Sequence, residues 1–334
     1  MDRMDFIQGV TRVRVLENKL LDRAAIEKMV EARDLEEVFR TLGDTEYASA
    51  VTQAGKPEEY EVILHTELER VYRLVREISP DSLVVDLMAL KYDFHNLKVM
   101  IKERLMGKDL SATYSRVGKI DFKKLKTQFT AGEYRDMEPV SYKEAVLSVL
   151  KDFEEKKDPQ RIDILMDRYY FEHLHKMAKD SGISLFQDHV KDLIDFTNVS
   201  SAIRLKKQDK ELKFFEEVIL ENGYIEKDTM LSTVNDSVET MINRFRNSRI
   251  SKELSKGLED YLETGRLSSF EKHMDNYLMN LNKSSKSVTF GPEPLFSYLV
   301  AKEMEIKILR IIMVSKRNNI SPDAIRERLR DLYV

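Results

Sequence analysis

Large apolar residues recur at helical spacing between residues 80 and 107. They form one stripe on a helix surface, at Leu83, Leu87, Leu90, Phe94, Leu97, Ile101 and Leu105. Pro80 stands ahead of the stripe and Gly107 follows it, and these residue types commonly open and close a helix. The pattern predicts a long core helix here and a second helix over residues 60–78.

The same pattern returns near the end of the chain, over residues 292–319, without a gap. The matched pairs include Pro80 with Pro292, Asp93 with Glu305, Lys98 with Arg310 and Gly107 with Asn319. A middle copy places Asp195 and Asn198 where the first copy has Asp93 and Asn96. Three copies at similar intervals indicate an internal repeat.

The connectors after the first two copies also match, as Gly118-Lys-Ile-Asp121 and Gly223-Tyr-Ile-Glu226. The repeat predicts three helical units, over residues 1–117, 118–222 and 223–334. The expected fold class is all-α, with the three units related by a rough threefold axis. Residues 283–287, Lys-Ser-Ser-Lys-Ser, are the tract predicted to be a linker.

Composition narrows the class of protein. Glycine (11) and proline (7) are scarce among 334 residues, whereas an all-β fold needs many turns. The 55 basic and 59 acidic residues leave a net charge of −4, without the basic excess expected of a nucleic-acid-binding protein. There is no cysteine, which excludes disulfides and thiolate chemistry. We expect neither a signal peptide nor a membrane-spanning helix, because no apolar run is long enough.

No motif for catalysis or nucleotide binding is recognisable. Gly107-Lys108 lacks the earlier glycine and the following serine or threonine of a phosphate-binding loop. His173 and His175 are two residues apart, so on a helix they point to different faces and cannot share a metal ion. Glu172 and His175 form one Glu-x-x-His pair, whereas a di-iron bundle needs two. We therefore expect no catalytic, cofactor-binding or metal site.

An acidic residue interrupts the apolar pattern of each copy, at Asp93, Asp195 and Glu305. One hypothesis is a general acid or base. The other is a structural carboxylate with hydrogen-bond or ionic partners, because a buried charge requires them. Presence in all three copies favours the structural role, since catalysis rarely needs three such residues. Asn96 and Asn198 lie one turn further along and are expected to join the same polar network.

Basic residues are concentrated late in each copy. They are Lys98, Lys102, Arg104 and Lys108, then Arg204, Lys206, Lys207 and Lys210, then Arg310, Lys316 and Arg317. Cations are favourable near a helix C-terminus and lysine stems cover apolar surface, so a structural role explains them. The alternative is a docking surface for acidic partners, for which the candidates are Lys206, Lys207 and Lys210.

Four stretches together resemble the family of C subunits of V-type (A-type) ATPases and ATP synthases, whose eukaryotic counterpart is the d subunit of the V-ATPase. They are residues 10–21, residues 91–98, residues 161–170 with Asp195 and Asn198, and residues 303–310 with 325–334. Their order and spacing extend over the whole chain. The third copy departs from the first two, because Ile308 stands where they have asparagine.

The resemblance implies a funnel-like, non-catalytic helical protein in the central stalk of a rotary complex. Its partners would be membrane rotor ring subunits and central shaft subunits of D and F type, and it would couple them for transport of hydrogen or other ions or for ATP synthesis. It would be cytoplasmic and peripheral to the membrane, without insertion and without nucleic acid. The motif positions expected to be structural determinants are Asp93, Asn96, Lys98, Asp195, Asn198, Glu305 and Arg310.

Two other hypotheses remain open on the residues alone. A helical-repeat adaptor for proteins or nucleic acid would show a salt-dependent affinity for RNA if nucleic acid were its partner. A helical-bundle metalloenzyme would retain a tightly bound metal. The balanced charge disfavours the first and the missing ligand sets disfavour the second.

Overall fold

The chain folds into helices throughout the part that the computed structural model describes, residues 1–208 and 211–334. No β-strand occurs among these residues, which confirms the all-α prediction. Nor does any helix in these ranges combine the length and the apolar character needed to cross a bilayer.

The helices follow one another with short connections. The α-helices are α1 (Ile7–Glu17), α2 (Arg23–Glu31), α3 (Leu35–Gly43), α4 (Ala48–Ala54), α5 (Tyr60–Ile78), α6 (Leu83–Met106), α7 (Phe122–Ala131), α8 (Val140–Lys156), α9 (Gln160–Ser181), α10 (Ser184–Lys207), α11 (Leu212–Val218), α12 (Lys227–Ser232), α13 (Val238–Arg244), α14 (Ser251–Thr264), α15 (Leu267–Lys283), α16 (Glu293–Arg317) and α17 (Pro322–Arg326). Short 3₁₀ helices lie at Arg3–Phe6, Pro57–Glu59, Ser111–Thr113, Tyr134–Asp136, Thr233–Asn235 and Ser284–Ser287.

The three copies of the repeated pattern form the longest helices, α6, α10 and α16, with 24, 24 and 25 residues. α6 ends because Gly107 adopts the left-handed conformation, with φ of 62°. Pro292 immediately precedes α16, and Asn319 beyond its end has φ of 54°. The predicted long helices and their left-handed end residues are therefore confirmed, as is the helix predicted over residues 60–78, which is α5.

Each long helix packs mainly on a helix from another part of the chain. α6 lies against α9, α10 against α15 and α16 against α5. α16 also contacts α1 and α6 and is buried around most of its circumference, as expected of a helix that is apolar on all sides. The larger hydrophobic core includes both Phe6 and Tyr333, so the two ends of the chain share one core. A smaller core extends from Phe196 to Phe270.

Residues 283–287 are not a linker, contrary to the prediction from their composition. α15 continues to Lys283, and the 3₁₀ helix Ser284–Ser287 follows directly. Ser285 is fully buried, with its Oγ 3.1 Å from the hydroxyl oxygen of Tyr333, and its carbonyl accepts a hydrogen bond from Arg14 at 2.8 Å. The polar tract therefore supplies hydrogen-bond partners where the two ends of the chain meet.

Candidate functional site

Asp93, the repeated acid of the first copy, fastens the connector that follows α6. Its oxygens accept backbone N–H hydrogen bonds from Lys119 at 3.3 Å and Ile120 at 3.4 Å, and a hydroxyl hydrogen bond from Tyr142 at 3.2 Å. Burial raises the pKa of the Asp93 carboxyl, and the hydrogen bonds oppose that shift. Gly118 permits the close approach, because a Cβ atom there would lie 2.1 Å from Asp93 Oδ1.

Asp195 makes the same contact after α10. It accepts N–H hydrogen bonds from Tyr224 at 3.0 Å and Ile225 at 3.1 Å. A Cβ atom on Gly223 would lie 2.0 Å from Asp195 Oδ1, so this connector also requires glycine at its closest point. Asp195 is 1% exposed, and burial raises its pKa to about 7.

Glu305, the third repeated acid, finds its backbone donor at the other end of the chain. It accepts a hydrogen bond from the Leu21 N–H at 2.6 Å and another from the Tyr47 hydroxyl at 2.7 Å. Lys302, one turn earlier on α16, is ion-paired with it at 2.7 Å. All three repeated acids are therefore buried and bonded to main-chain N–H groups, whereas the sequence predicted hydrogen-bond or ionic partners for them without saying which.

The segment between α1 and α2 contacts α16 in the way that the two connectors contact α6 and α10. Each residue that donates to an acid is followed by an acidic residue at the N-cap position of a short helix. The pairs are Leu21 with Asp22, Ile120 with Asp121 and Ile225 with Glu226. The residue four positions after each N-cap is apolar and buried, and these residues are Ile26, Leu125 and Met230. This match was the signal that sequence analysis missed. We call the contacts of Asp93, Asp195 and Glu305 with these segments the first, second and third joint.

Two asparagines add a paired hydrogen bond to the first and second joints. Asn96 donates to the Ser115 carbonyl and accepts from the Ser115 N–H, both at 2.8 Å. Asn198 makes the same pair with Leu220, again at 2.8 Å in both directions. Ile308, at the matched position of α16, is fully buried and brings apolar packing to the third joint instead.

Replacing Asn198 with alanine should lower the free energy of unfolding by about 1–2 kcal/mol, because the Leu220 N–H and carbonyl lose their partners in a buried site. Urea denaturation measures the change. The matched control is Asn280→Ala on the exposed face of α15, which should cost less than about 0.5 kcal/mol. Equal costs for the two variants would mean that the paired hydrogen bond adds nothing to stability.

Four of the late cations of the long helices are ion-paired with neighbouring helices. The pairs are Lys98–Asp167, Lys102–Asp163, Arg204–Glu271 and Arg310–Glu61, at 2.7, 2.7, 3.1 and 2.9 Å. They connect the same helices that pack together, α6 with α9, α10 with α15 and α16 with α5. Such partly exposed pairs contribute at most about 1 kcal/mol each, so their main effect is on the alignment of the helices.

The three lysines predicted as a docking surface do not share one environment. Lys207 is exposed at the end of α10. Lys206 is half-buried, donates a hydrogen bond to the Val234 carbonyl at 2.5 Å, and has its pKa lowered by burial. Lys210 lies outside the described residues. Lys206 thus serves an internal contact, and Lys207 is the described member that faces solvent.

A cavity of ≈600 Å³ lies between the three long helices. Its wall is mostly apolar and includes Leu87 and Met88 of α6, Val190 and Leu193 of α10, and Phe296 and Val300 of α16. Helices α5, α9 and α15 complete the wall. Concave apolar surfaces with a few polar groups are where proteins commonly bind ligands or partner side chains, so this cavity is the candidate functional site.

The charged residues of the cavity wall neutralise one another. Glu303 is ion-paired with Lys91 and accepts a hydroxyl hydrogen bond from Tyr92 at 2.8 Å. Asp275 is ion-paired with Lys307 at 2.5 Å. Because these charges are paired, the wall offers mainly shape and apolar contact to whatever enters.

Two histidines, His189 and His173, have partners inside the protein. His189 Nδ1 lies 2.8 Å from the Asn282 side-chain nitrogen, and burial lowers the pKa of His189 to about 4, so the ring is neutral at pH 7. The His173 ring packs 5.6 Å from the Phe94 ring. Within residues 1–208 and 211–334, no three histidine or acidic side chains form a group that could hold a metal ion.

The sequence of this chain is similar to those of a protein family and of several known proteins. The model of the ATP synthase (C/AC39) subunit family matches residues 9–328. The C subunit of the V-type sodium ATPase of Enterococcus hirae is 27% identical, over 96% of this chain and 97% of that protein. The C subunit of the A-type ATP synthase of Methanocaldococcus jannaschii is 26% identical over 95% and 84%, and that of Haloferax volcanii 23% identical over 96% and 96%.

All of these relatives are C subunits of V-type or A-type ATPases and ATP synthases, so the chain falls in the class of rotary ATPase subunits. The match extends over nearly the whole chain rather than over one segment. The chain belongs to the ATP synthase (C/AC39) subunit family. This confirms the family that the four sequence stretches indicated.

Proposed function

We propose that this chain is a non-catalytic central-stalk subunit of a V/A-type rotary ATPase and that it couples the membrane rotor ring to the central shaft. The observation that carries the proposal is the family match over residues 9–328. Catalysis then belongs to other subunits of the complex. This chain transmits torque between ring and headpiece during ion transport or ATP synthesis.

Three units, over residues 1–117, 118–222 and 223–334, form a funnel-like body in this proposal. The joints support it, because each long helix fastens a segment that leads into a short helix. Since Leu21 serves Glu305, the units would close into a cycle through the N-terminal segment. The structural determinants would be Asp93, Asn96, Asp195, Asn198 and Glu305, with Lys98 and Arg310 aligning neighbouring units.

The cavity between α6, α10 and α16 is the proposed socket for the foot of the shaft, formed by subunits of D and F type. Its apolar wall suits the side chains of an inserted helix end. Torque transfer requires a body that resists deformation, and close-packed helices have low compressibility. Load on the wall would reach all three joints, because each long helix contributes to both the wall and a joint.

The ring is proposed to bind another face of the chain, at the cytoplasmic surface of the membrane. The chain would be peripheral there and would meet polar loops of the ring rather than lipid. Of the candidate docking cations, Lys207 is the one whose described position suits a contact with acidic groups of a partner.

The proposal is tested by placing a charge in the socket. Leu193→Arg puts a cation on the half-buried α10 wall of the cavity and should leave the purified rotary complex hydrolysing ATP with little ion transport. We expect the affinity for isolated shaft subunits to fall at least about tenfold, as for a disrupted interface core. Coupling is measured as ions moved per ATP hydrolysed in reconstituted vesicles.

The matched control is Leu147→Arg on α8, where the side chain is 39% exposed and does not line the cavity. This variant should couple and bind the shaft subunits normally. If Leu193→Arg behaves like the control, the cavity is not the socket. If a purified complex without this chain is intact and fully coupled, the proposed function itself is wrong.

A further inference from the structure

The residue one turn before each repeated acid carries a different charge in each joint. Leu90 precedes Asp93, Asp192 precedes Asp195, and Lys302 precedes Glu305. Side chains three residues apart on a helix are neighbours. The acid of the third joint therefore has a cation beside it, that of the first an apolar side chain, and that of the second another carboxylate.

Asp192 is completely buried, and one of its oxygens has no hydrogen-bond partner. Oδ2 accepts from the Tyr277 hydroxyl at 2.9 Å and from Arg249 Nε at 3.1 Å. Oδ1 receives no donor. An unbonded carboxylate oxygen in a buried site is costly when it carries charge, and binding of a proton removes much of that cost.

The surroundings supply little positive charge to Asp192 and Asp195. Arg249 is shared with Asp188 of α10, at 2.9 Å. Lys191 of α10 faces the ring of Tyr224, with Nζ 4.6 Å from the ring centre, and the Tyr224 hydroxyl donates to Asp188 at 2.5 Å. The charged and titratable groups facing the two carboxylates are thus Asp188, His189 and Lys191 from α10, Tyr224 from the connector, Arg249 from the segment before α14, and Tyr277 from α15. Because burial lowers the pKa of His189 to about 4, its ring adds no positive charge at neutral pH.

We propose that Asp192 and Asp195 jointly bind one proton at neutral pH. This proton stabilises the contact of Tyr224 and Ile225 with α10. When the proton leaves, two negative charges lie one turn apart in a buried site that shares a single arginine. Repulsion and the gain of hydration then favour opening of the second joint. The second joint is therefore sensitive to protons, whereas in the third joint Lys302 supplies a positive charge beside the acid. The proposal is independent of the function proposed above.

The direction of the pH effect on opening depends on whether the closed or the opened joint binds the proton more tightly. Burial raises the pKa of Asp192 to about 6 and of Asp195 to about 7, above the ordinary carboxyl value of about 4. Between about pH 4 and about pH 7 the closed joint keeps protons that the opened, hydrated joint has released, up to two below about pH 6 and about one near neutral pH. The free energy of opening therefore falls as pH rises through this range and is level above it.

Amide hydrogen exchange of Tyr224 and Ile225 in the full chain tests the proposal, by NMR from about pH 5 to about pH 8 with correction for the intrinsic exchange rate. The protection factor should fall by up to about tenfold per pH unit for each proton held, and therefore most steeply below about pH 6, until about pH 7, and should then stay constant. The Leu21 amide, held by Glu305 beside Lys302, is the internal reference and should keep a nearly constant protection factor.

Asp192→Leu gives the second joint the apolar neighbour that Leu90 provides in the first, and should make the pH dependence at Tyr224 and Ile225 shallower, because one carboxyl of the pair, Asp195, still titrates. Asp192→Asn is the conservative variant, because an amide oxygen can still accept from Tyr277 and Arg249, and it should make the profile shallower as well. The control Asp180→Asn, exposed at the end of α9, should leave the profile unchanged. A wild-type protection factor independent of pH, or an unchanged pH dependence in Asp192→Asn, overturns the proposal.

Discussion

Replacing Lys302 with methionine should lower the free energy of unfolding by about 3–5 kcal/mol, because it leaves buried charge without its partner. Lys302 is 2% exposed, and its Nζ lies 2.8 Å from Glu67 and 2.7 Å from Glu305. Arg70 still faces Glu67 at 2.7 Å after the change, so Glu305 is the carboxylate left without a cation. Chemical denaturation at pH 7 measures the loss.

Two further variants separate this cause from a general packing defect. Adding Glu305→Gln to Lys302→Met removes the unpaired charge and should restore part of the stability, since the amide oxygen can still accept from the Leu21 N–H while the amide NH2 donates to the Tyr47 hydroxyl oxygen. Lys19→Ala breaks an exposed pair with Glu46 and should cost less than about 1 kcal/mol. A double variant no more stable than Lys302→Met would point to the lost lysine stem rather than to the charge.

Replacing Gly223 with alanine should lower the free energy of unfolding by roughly 2–5 kcal/mol, through overpacking and the loss of buried hydrogen bonds. The new Cβ atom would lie 2.0 Å from Asp195 Oδ1 and 3.2 Å from Ile194 Cγ2. The carboxylate is the far end of a short side chain on a buried helix, so it can move only by releasing Tyr224 and Ile225. Gly118→Ala should have a similar effect at the first joint, where the corresponding distance is 2.1 Å.

Gly43→Ala, at the end of α3, is the matched control. A Cβ atom there would meet nothing closer than Val51 Cγ1 at 4.0 Å. This substitution should change stability little, or raise it by about 0.4–1 kcal/mol by restricting the unfolded chain. Thermal and urea unfolding of both variants give the comparison. A cost for Gly223→Ala as small as that for Gly43→Ala would show that the connector can shift without losing its hold on Asp195.

The helices with strong local signals were predictable from sequence. The apolar stripe between Leu83 and Leu105 and the glycine after it determine α6, because helix period and end conformation are encoded within a few turns. The repeat then located the two other long helices. The buried role of the repeated acids was also a reasonable inference, since a charge on an apolar stripe needs a partner.

What the sequence did not reveal was determined by distant contacts. Ser285 lies in a tract of linker-like composition, yet the packing of the chain ends buries it beside Tyr333. The sequence predicted Lys206 to be a surface cation, whereas its Nζ donates a hydrogen bond to the Val234 carbonyl. The cavity, too, depends on residues from helices spread over most of the chain, and no local pattern specifies how such helices converge.

The hydrogen bond between Leu21 and Glu305 has a consequence for synthesis of the chain. The two residues are 284 positions apart, so the third joint is among the last contacts that a ribosome can deliver. At about 5–20 residues per second, the N-terminal segment waits roughly 15–60 s for α16 to be translated. During that interval the apolar surfaces that later meet α16 lack their partner, and they are then substrates for chaperones and proteases. Truncated products of interrupted translation should therefore be degraded rather than accumulate as stable fragments.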